Sequence, residues 1–160
     1  MAVRFTDEEI ETLIKEPKPY HRDWFQPSRM SVRFRHRRID IDTTGANGNQ
    51  FVVKLRKSEI NPLDFSVILG VIVPGTNMVF RLRRYNGKSH QHKNKLTGDT
   101  IYDFHIHTAT LRYQQNGFKE DAYAEQTDRY STLAGAINCM IDDCAFHDIG
   151  PSLPSLFTSP

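Results

Sequence analysis

The sequence predicts an α+β fold: a mostly antiparallel sheet of about six strands, with an N-terminal and a C-terminal helix packed on it. Three observations carry this expectation. Apolar and polar residues alternate through the stretches 30–43, 78–85 and 101–113, the period of a half-buried strand. Turn sequences, Gly45-Ala-Asn-Gly-Asn49, Pro74-Gly75-Thr76-Asn77 and Asn116-Gly117, separate the strand-like runs. Apolar stripes of helical period, each with a capping residue, fall near the two ends.

Each element has a local reason. Thr6 followed by Asp7, Glu8 and Glu9 is an N-cap with acids in the first turn, and Ile10, Leu13 and Ile14 form the apolar stripe. Pro17 and Pro19 stop that helix near Glu16. Residues 20–28, with Trp24 and Phe25, read as an irregular segment packed on the sheet. From Met30 to Thr43 the pattern is a strand, with a bulge or bend expected near His36–Arg38 because Ile39 and Ile41 fall out of phase with Val32 and Phe34. Gln50–Lys57 returns as its hairpin partner. Phe65–Val73 is apolar on both faces and reads as a central strand covered on both sides. Met78–Tyr85 follows, then a long polar loop over 87–100, then strands at Ile101–Tyr113 and Phe118–Glu125 joined at Asn116-Gly117. A helix capped at Ser131 runs to about Ala145, with Leu133, Ile137, Met140, Ile141 and Cys144 inward. Residues 1–146 form one domain, and 147–160 an extended or mobile tail.

Composition narrows the function classes. The 160 residues are 38% hydrophobic and 25% charged, which suits a globular domain; the longest apolar run is about half of a bilayer span. An N-terminus without an apolar signal core, and two cysteines unsuited to pairing with each other, point to the cytoplasm. The net charge is only +2, but the charges are segregated. Eight Lys/Arg lie between Arg29 and Lys57 and six between Arg81 and Lys95, while acids crowd the N-terminal segment and the C-terminal third. Such a face attracts phosphates or an acidic partner.

The candidate site is the stretch from Phe80 to Thr110, which holds four of the seven histidines as His90-x-His92 and His105-x-His107. Along a strand Asp103, His105 and His107 share one face. Pairing Met78–Tyr85 with Ile101–Tyr113 so that their apolar faces align sets Arg83 near Asp103 and Arg81 near His105, with Gly70 leaving room on the same side. Three readings fit. In a metal-independent nuclease, two among His90, His92, His105 and His107 serve as base and acid, and Arg81, Arg83 or Lys93 stabilises the phosphorane. In a metal site, His105 and His107 bind one ion, with Asp103 or a loop histidine as third ligand. In a purely structural role, the histidines are hydrogen-bonded within a polar sheet face. The leading expectation is the nuclease, with nucleic acid as partner, RNA ahead of DNA, and with neither cofactor nor metal assigned. The alternative is an interaction module whose basic face docks an acidic protein or, in a homodimer, its own acidic C-terminal third. Glu120, Asp121 and Glu125 read as strand residues, with Arg112 pairing Asp121. No Gly-rich phosphate motif, GxSxG or CxxC occurs.

The runs FRLRRYNGKSHQHKN, YDFHIHTATLRYQ and KEDAYAEQTDRYS resemble a small uncharacterised prokaryotic family, over roughly residues 64–146. More distantly, Tyr85, Asn86, Gly87, Lys88, His90 and His92 on a strand and His-rich loop look like the TumE-type toxins of toxin-antitoxin modules. That likeness implies toxin activity. The chain departs from the toxin pattern in its long insertion after the loop, its second His-x-His and its extra N-terminal hairpin.

Overall fold

In a computed structural model that describes residues 4–152, the alternating stretches become one seven-stranded antiparallel sheet. Its strands are β2 (Ser31–Arg33), β3 (His36–Thr44), β4 (Gln50–Ser58), β5 (Phe65–Ile72), β6 (Val79–Asn86), β9 (His105–Thr108) and β10 (Ala124–Gln126), in the spatial order β10-β9-β6-β5-β4-β3-β2. Two small pairs complete the strands. β1 (Lys18–Tyr20) lies parallel to β11 (Phe146–Asp148), and β7 (His92–Lys93) pairs with β8 (Thr100–Ile101). The helices are α1 (Asp7–Lys15), α2 (Leu111–Gln115) and α3 (Leu133–Asp143). Among the described residues no helix is long and apolar enough to cross a membrane.

Alternation assigns the two faces of the sheet. Phe51, Val53 and Leu55 on β4, with Val67, Leu69 and Val71 on β5, turn inward and join Ile10 and Ile14 of α1 and Ala136 and Met140 of α3 in one core. Both of these helices therefore cover one face and leave the other open. α1 starts where expected, with a capping box in which Thr6 Oγ1 accepts from Glu9 N (3.1 Å) and Glu9 accepts from Thr6 N (2.9 Å). At the far end of α1 the buried Lys18 ammonium donates to the carbonyls of Leu13, Ile14, Glu16 and Cys144 at 2.8–3.0 Å, tying the C-termini of α1 and α3 together.

Several expectations are corrected. Met30–Thr43 is not one bulged strand. It is the tight hairpin β2–β3, turning at Phe34 with φ +56°. Ile101–Tyr113 and Phe118–Glu125 are not a long hairpin. The Asn-Gly pair instead ends a helix: Thr110 Oγ1 caps α2 by accepting from Tyr113 N, and Gly117 at φ +78° follows the C-cap Asn116. Asn116-Gly117 is a strong hairpin signal taken alone, but the Thr110 cap upstream starts a helix that the pair then ends. Thr132 rather than Ser131 caps α3. Of the expected tail, His147 and Asp148 belong to β11, Arg22 N donates to Gly150 O (3.2 Å) and Ser152 N to Asp23 Oδ1 (2.9 Å). Residues 153–160 lie outside the described residues.

Candidate histidine site in a basic cleft

Cross-strand register lays two rows of side chains across the open face. One runs Arg38, Arg56, Ser66, Asn86, His105; the other runs Asp40, Lys54, Ile68, Arg84, His107. Four strand spacings separate the ends of each row, about 19 Å. Apart from His105, the rows floor a cleft of about 910 Å³ that reaches from the β2–β3 hairpin, with Arg33 and Phe34, to His90, His92 and His107. Lys54, Arg56, Arg84 and Lys119 line it too, against Asp40.

A bulge sets which arginine joins the histidines. Leu69 pairs with Arg83 but Gly70 with Arg81, so Leu82 is the extra residue on β6 and the alternation reverses there. Arg84, opposite His107, then faces the cleft. Arg83 turns to the helix side, its guanidinium 5.3 Å from the Tyr85 ring and 3.8 Å from Asp143. The expected proximity of Arg83 to Asp103 and of Arg81 to His105 is corrected accordingly: Arg83 is opposite Thr108 and His105 is opposite Asn86. Parity arguments hold only along an unbulged strand. Gly70 does lie on this face, but Val79 and Val52 fill the space above it.

The long loop after β6 folds back so that a ring nitrogen from each of His92, His105 and His107 lies within 4.8 Å of the other two. Asn94 pins it there. Its side-chain amide donates to Ala124 O (2.8 Å) and accepts from Ala124 N (2.9 Å), copying a strand pairing to β10. That contact orients the Asn94 Oδ1 that meets His92 Nε2 at 3.1 Å, so Nε2 carries the proton and Nδ1 the lone pair. His105 Nδ1 donates to Asp103 O (2.8 Å) and His107 Nδ1 to Asp121 O (2.7 Å). Carbonyls only accept, so both rings present an Nε2 lone pair. His105 Nε2 is buried and has no hydrogen-bond partner. His107 Nε2 lies 3.5 Å from Asn86 Nδ2, a long contact in which the amide donates. Burial, then the Arg84 charge, pulls the His107 pKa down to about 2, and burial lowers that of His105. Both imidazoles are neutral at physiological pH.

Charge around the trio is balanced. Asp121 is fully buried, 3.4 Å from both Arg81 Nη2 and Arg84 Nε, and Glu120 is 3.6 Å from Arg81. Asp121 is thus partnered by Arg81 and Arg84, not by the Arg112 that a 112–121 hairpin implied. Asp103 gives its backbone carbonyl to His105 while its carboxylate accepts from Phe104 N and faces Lys88 at 3.8 Å.

Of the candidate residues, His92, His105 and His107 converge, and His90 stands exposed at the cleft, its Nδ1 3.1 Å from Ser89 Oγ. Arg81 is beside Asp121, Lys93 is exposed on β7, and Arg83 is on the opposite face. Sequence reasoning left Arg84, Asn86 and Asp121 outside the catalytic set and did not single out Asn94. Arg84 carried a signal as a third arginine in the run Arg81 to Arg84, Asn86 as part of the Tyr-Asn-Gly-Lys run and Asp121 as an acid in need of an arginine partner. Neither family models, nor curated proteins, nor solved structures gave a match to this chain.

Proposed function

We propose that this protein binds single-stranded nucleic acid along the basic cleft and cleaves it at the histidine end. The observation that carries this reading is Phe34. Its side chain is 100% exposed, at the tip of the β2–β3 hairpin, in a left-handed conformation that is costly for a bulky residue. Hydrophobic burial does not explain an aromatic ring held there. Base stacking does, since an exposed ring at the lip of a cationic groove receives an unpaired base while Arg33, Arg38 and Arg56 take phosphates. A backbone laid from Phe34 across the two rows brings a phosphodiester to Arg84 and the three imidazoles.

Fluorescence anisotropy with labelled single-stranded RNA and DNA tests this. Affinity should fall steeply with salt, and Phe34→Ala should weaken binding about 10-fold with the salt slope unchanged. Arg33→Ala with Arg38→Ala should flatten the slope. Unaltered binding in Phe34→Ala, or equal affinity for duplex, would overturn the reading; so would an acidic protein that binds this face and that RNA does not displace.

A further inference from the structure

We infer that His92, His105 and His107 form a mononuclear site for a divalent transition metal of zinc type, with its open coordination position toward the cleft. Three independent features converge on it. The donors are three imidazoles, the set that leaves zinc one or more positions for water or substrate. Each ring has its proton committed elsewhere: His105 to Asp103 O, His107 to Asp121 O and His92 to Asn94 Oδ1. This is the outer shell that fixes tautomer and ring orientation in histidine metal sites. Finally, the buried lone pair on His105 Nε2 has nothing to accept from among the described residues, a cost that coordination removes.

Nearby arginines oppose a dication, yet Arg81 and Arg84 are neutralised by Glu120 and Asp121, which sit on the same side. The ring nitrogens, up to 4.8 Å apart, are wider than a bound ion needs, and binding would draw them together; His92 is on the two-residue strand β7, outside the main sheet. His92 and His107 line the cleft while His105 does not, so the vacant position faces the groove.

The inference deepens the nucleic-acid reading by supplying its chemistry. A water on the ion ionises near neutral pH. Its oxygen forms the new bond to phosphorus and the ester P–O bond breaks. One water proton ends on the departing oxygen and the other on the product phosphate or solvent. Arg84 stabilises the charge that builds on the phosphoryl oxygens. No oxidant or further co-reactant is needed.

The test is metal binding without nucleic acid, so failure of RNA binding leaves it standing. The purified chain is stripped with chelator, then titrated with Zn²⁺ by calorimetry and with Co²⁺ by visible absorption. One ion per chain should bind, with a Co²⁺ spectrum of low coordination number. His92→Ala should lower affinity by about 100-fold or more without shifting the thermal unfolding of the stripped protein, because that ring is on the short β7, outside the main sheet. His107→Gln serves as the second ligand variant, and His147→Ala, at the exposed β11, as the control. Absence of stoichiometric binding, or binding that survives both ligand variants, overturns the site.

Discussion

Asp143 shows how a single side chain here ties distant segments together. Arg129 donates to both of its oxygens at 2.8 and 2.9 Å, and the Tyr85 hydroxyl donates to one at 2.8 Å. Burial alone would raise its pKa; the Arg129 and Tyr85 hydrogen bonds and the Arg83 charge outweigh burial and hold the carboxyl below its usual range. The folded state therefore binds this proton less readily than the unfolded chain. Its stabilisation is complete above the unfolded carboxylate pKa and is lost as pH falls through the folded one. Asp143→Asn should cost about 2 kcal/mol at pH 7 in urea unfolding, and the gap to the parent should close in strong acid. At this scale the sequence was a partial guide. Histidines at 92, 105 and 107 were visible as residues suited to chemistry. Asn94 was not, and Asp121 was assigned the wrong arginine, because each acts through a partner far along the chain: Ala124 for one, Arg81 and Arg84 for the other.

Elements were legible where one periodicity ran uninterrupted. α1, β4 and β5 lie where capping, alternation and apolar runs placed them, but β5, expected to be covered on both faces, carries helices on one alone. Legibility ended where two local signals competed. A bulge at Leu82 moved Arg84 to the cleft in place of Arg83, and alternation cannot reveal an inserted residue. The out-of-phase isoleucines at 39 and 41 signalled an interruption, but a complete turn at Phe34 rather than a bulge produces it. That turn carries its own prediction. Phe34→Gly relieves the positive φ, so it should raise stability by about 1 kcal/mol while weakening binding of single-stranded nucleic acid as much as Phe34→Ala does. Thermal unfolding and anisotropy on one preparation check both signs. A loss of stability would mean that the ring supports the hairpin and is not kept there for a ligand.

For the whole molecule, the decisive feature is that α1 and α3 cover one sheet face, leaving a floor of alternating side chains opposite. Charge segregation along the chain becomes, in three dimensions, partly internal pairing and partly free surface. Arg37 meets Glu59, Lys54 meets Asp40 and Arg56 meets Asp64, while Arg33, Arg35 and Arg38 have no ion pair among the described residues. The unpaired arginines gather on β2, β3 and the turn between them, beside the exposed ring, about 19 Å from the histidines. In the proposed function, binding and chemistry occupy opposite ends of one groove, joined by Arg56 and Arg84. Incubation of a mixed pool of single-stranded RNA with the purified protein, chelator-stripped and then restored with Zn²⁺, measures both ends together. Cleavage should vanish on stripping, return with the metal and be absent in His92→Ala. Cleavage that persists through chelation would put a metal-free acid–base mechanism in its place, and intact RNA with the metal loaded would contradict the nuclease.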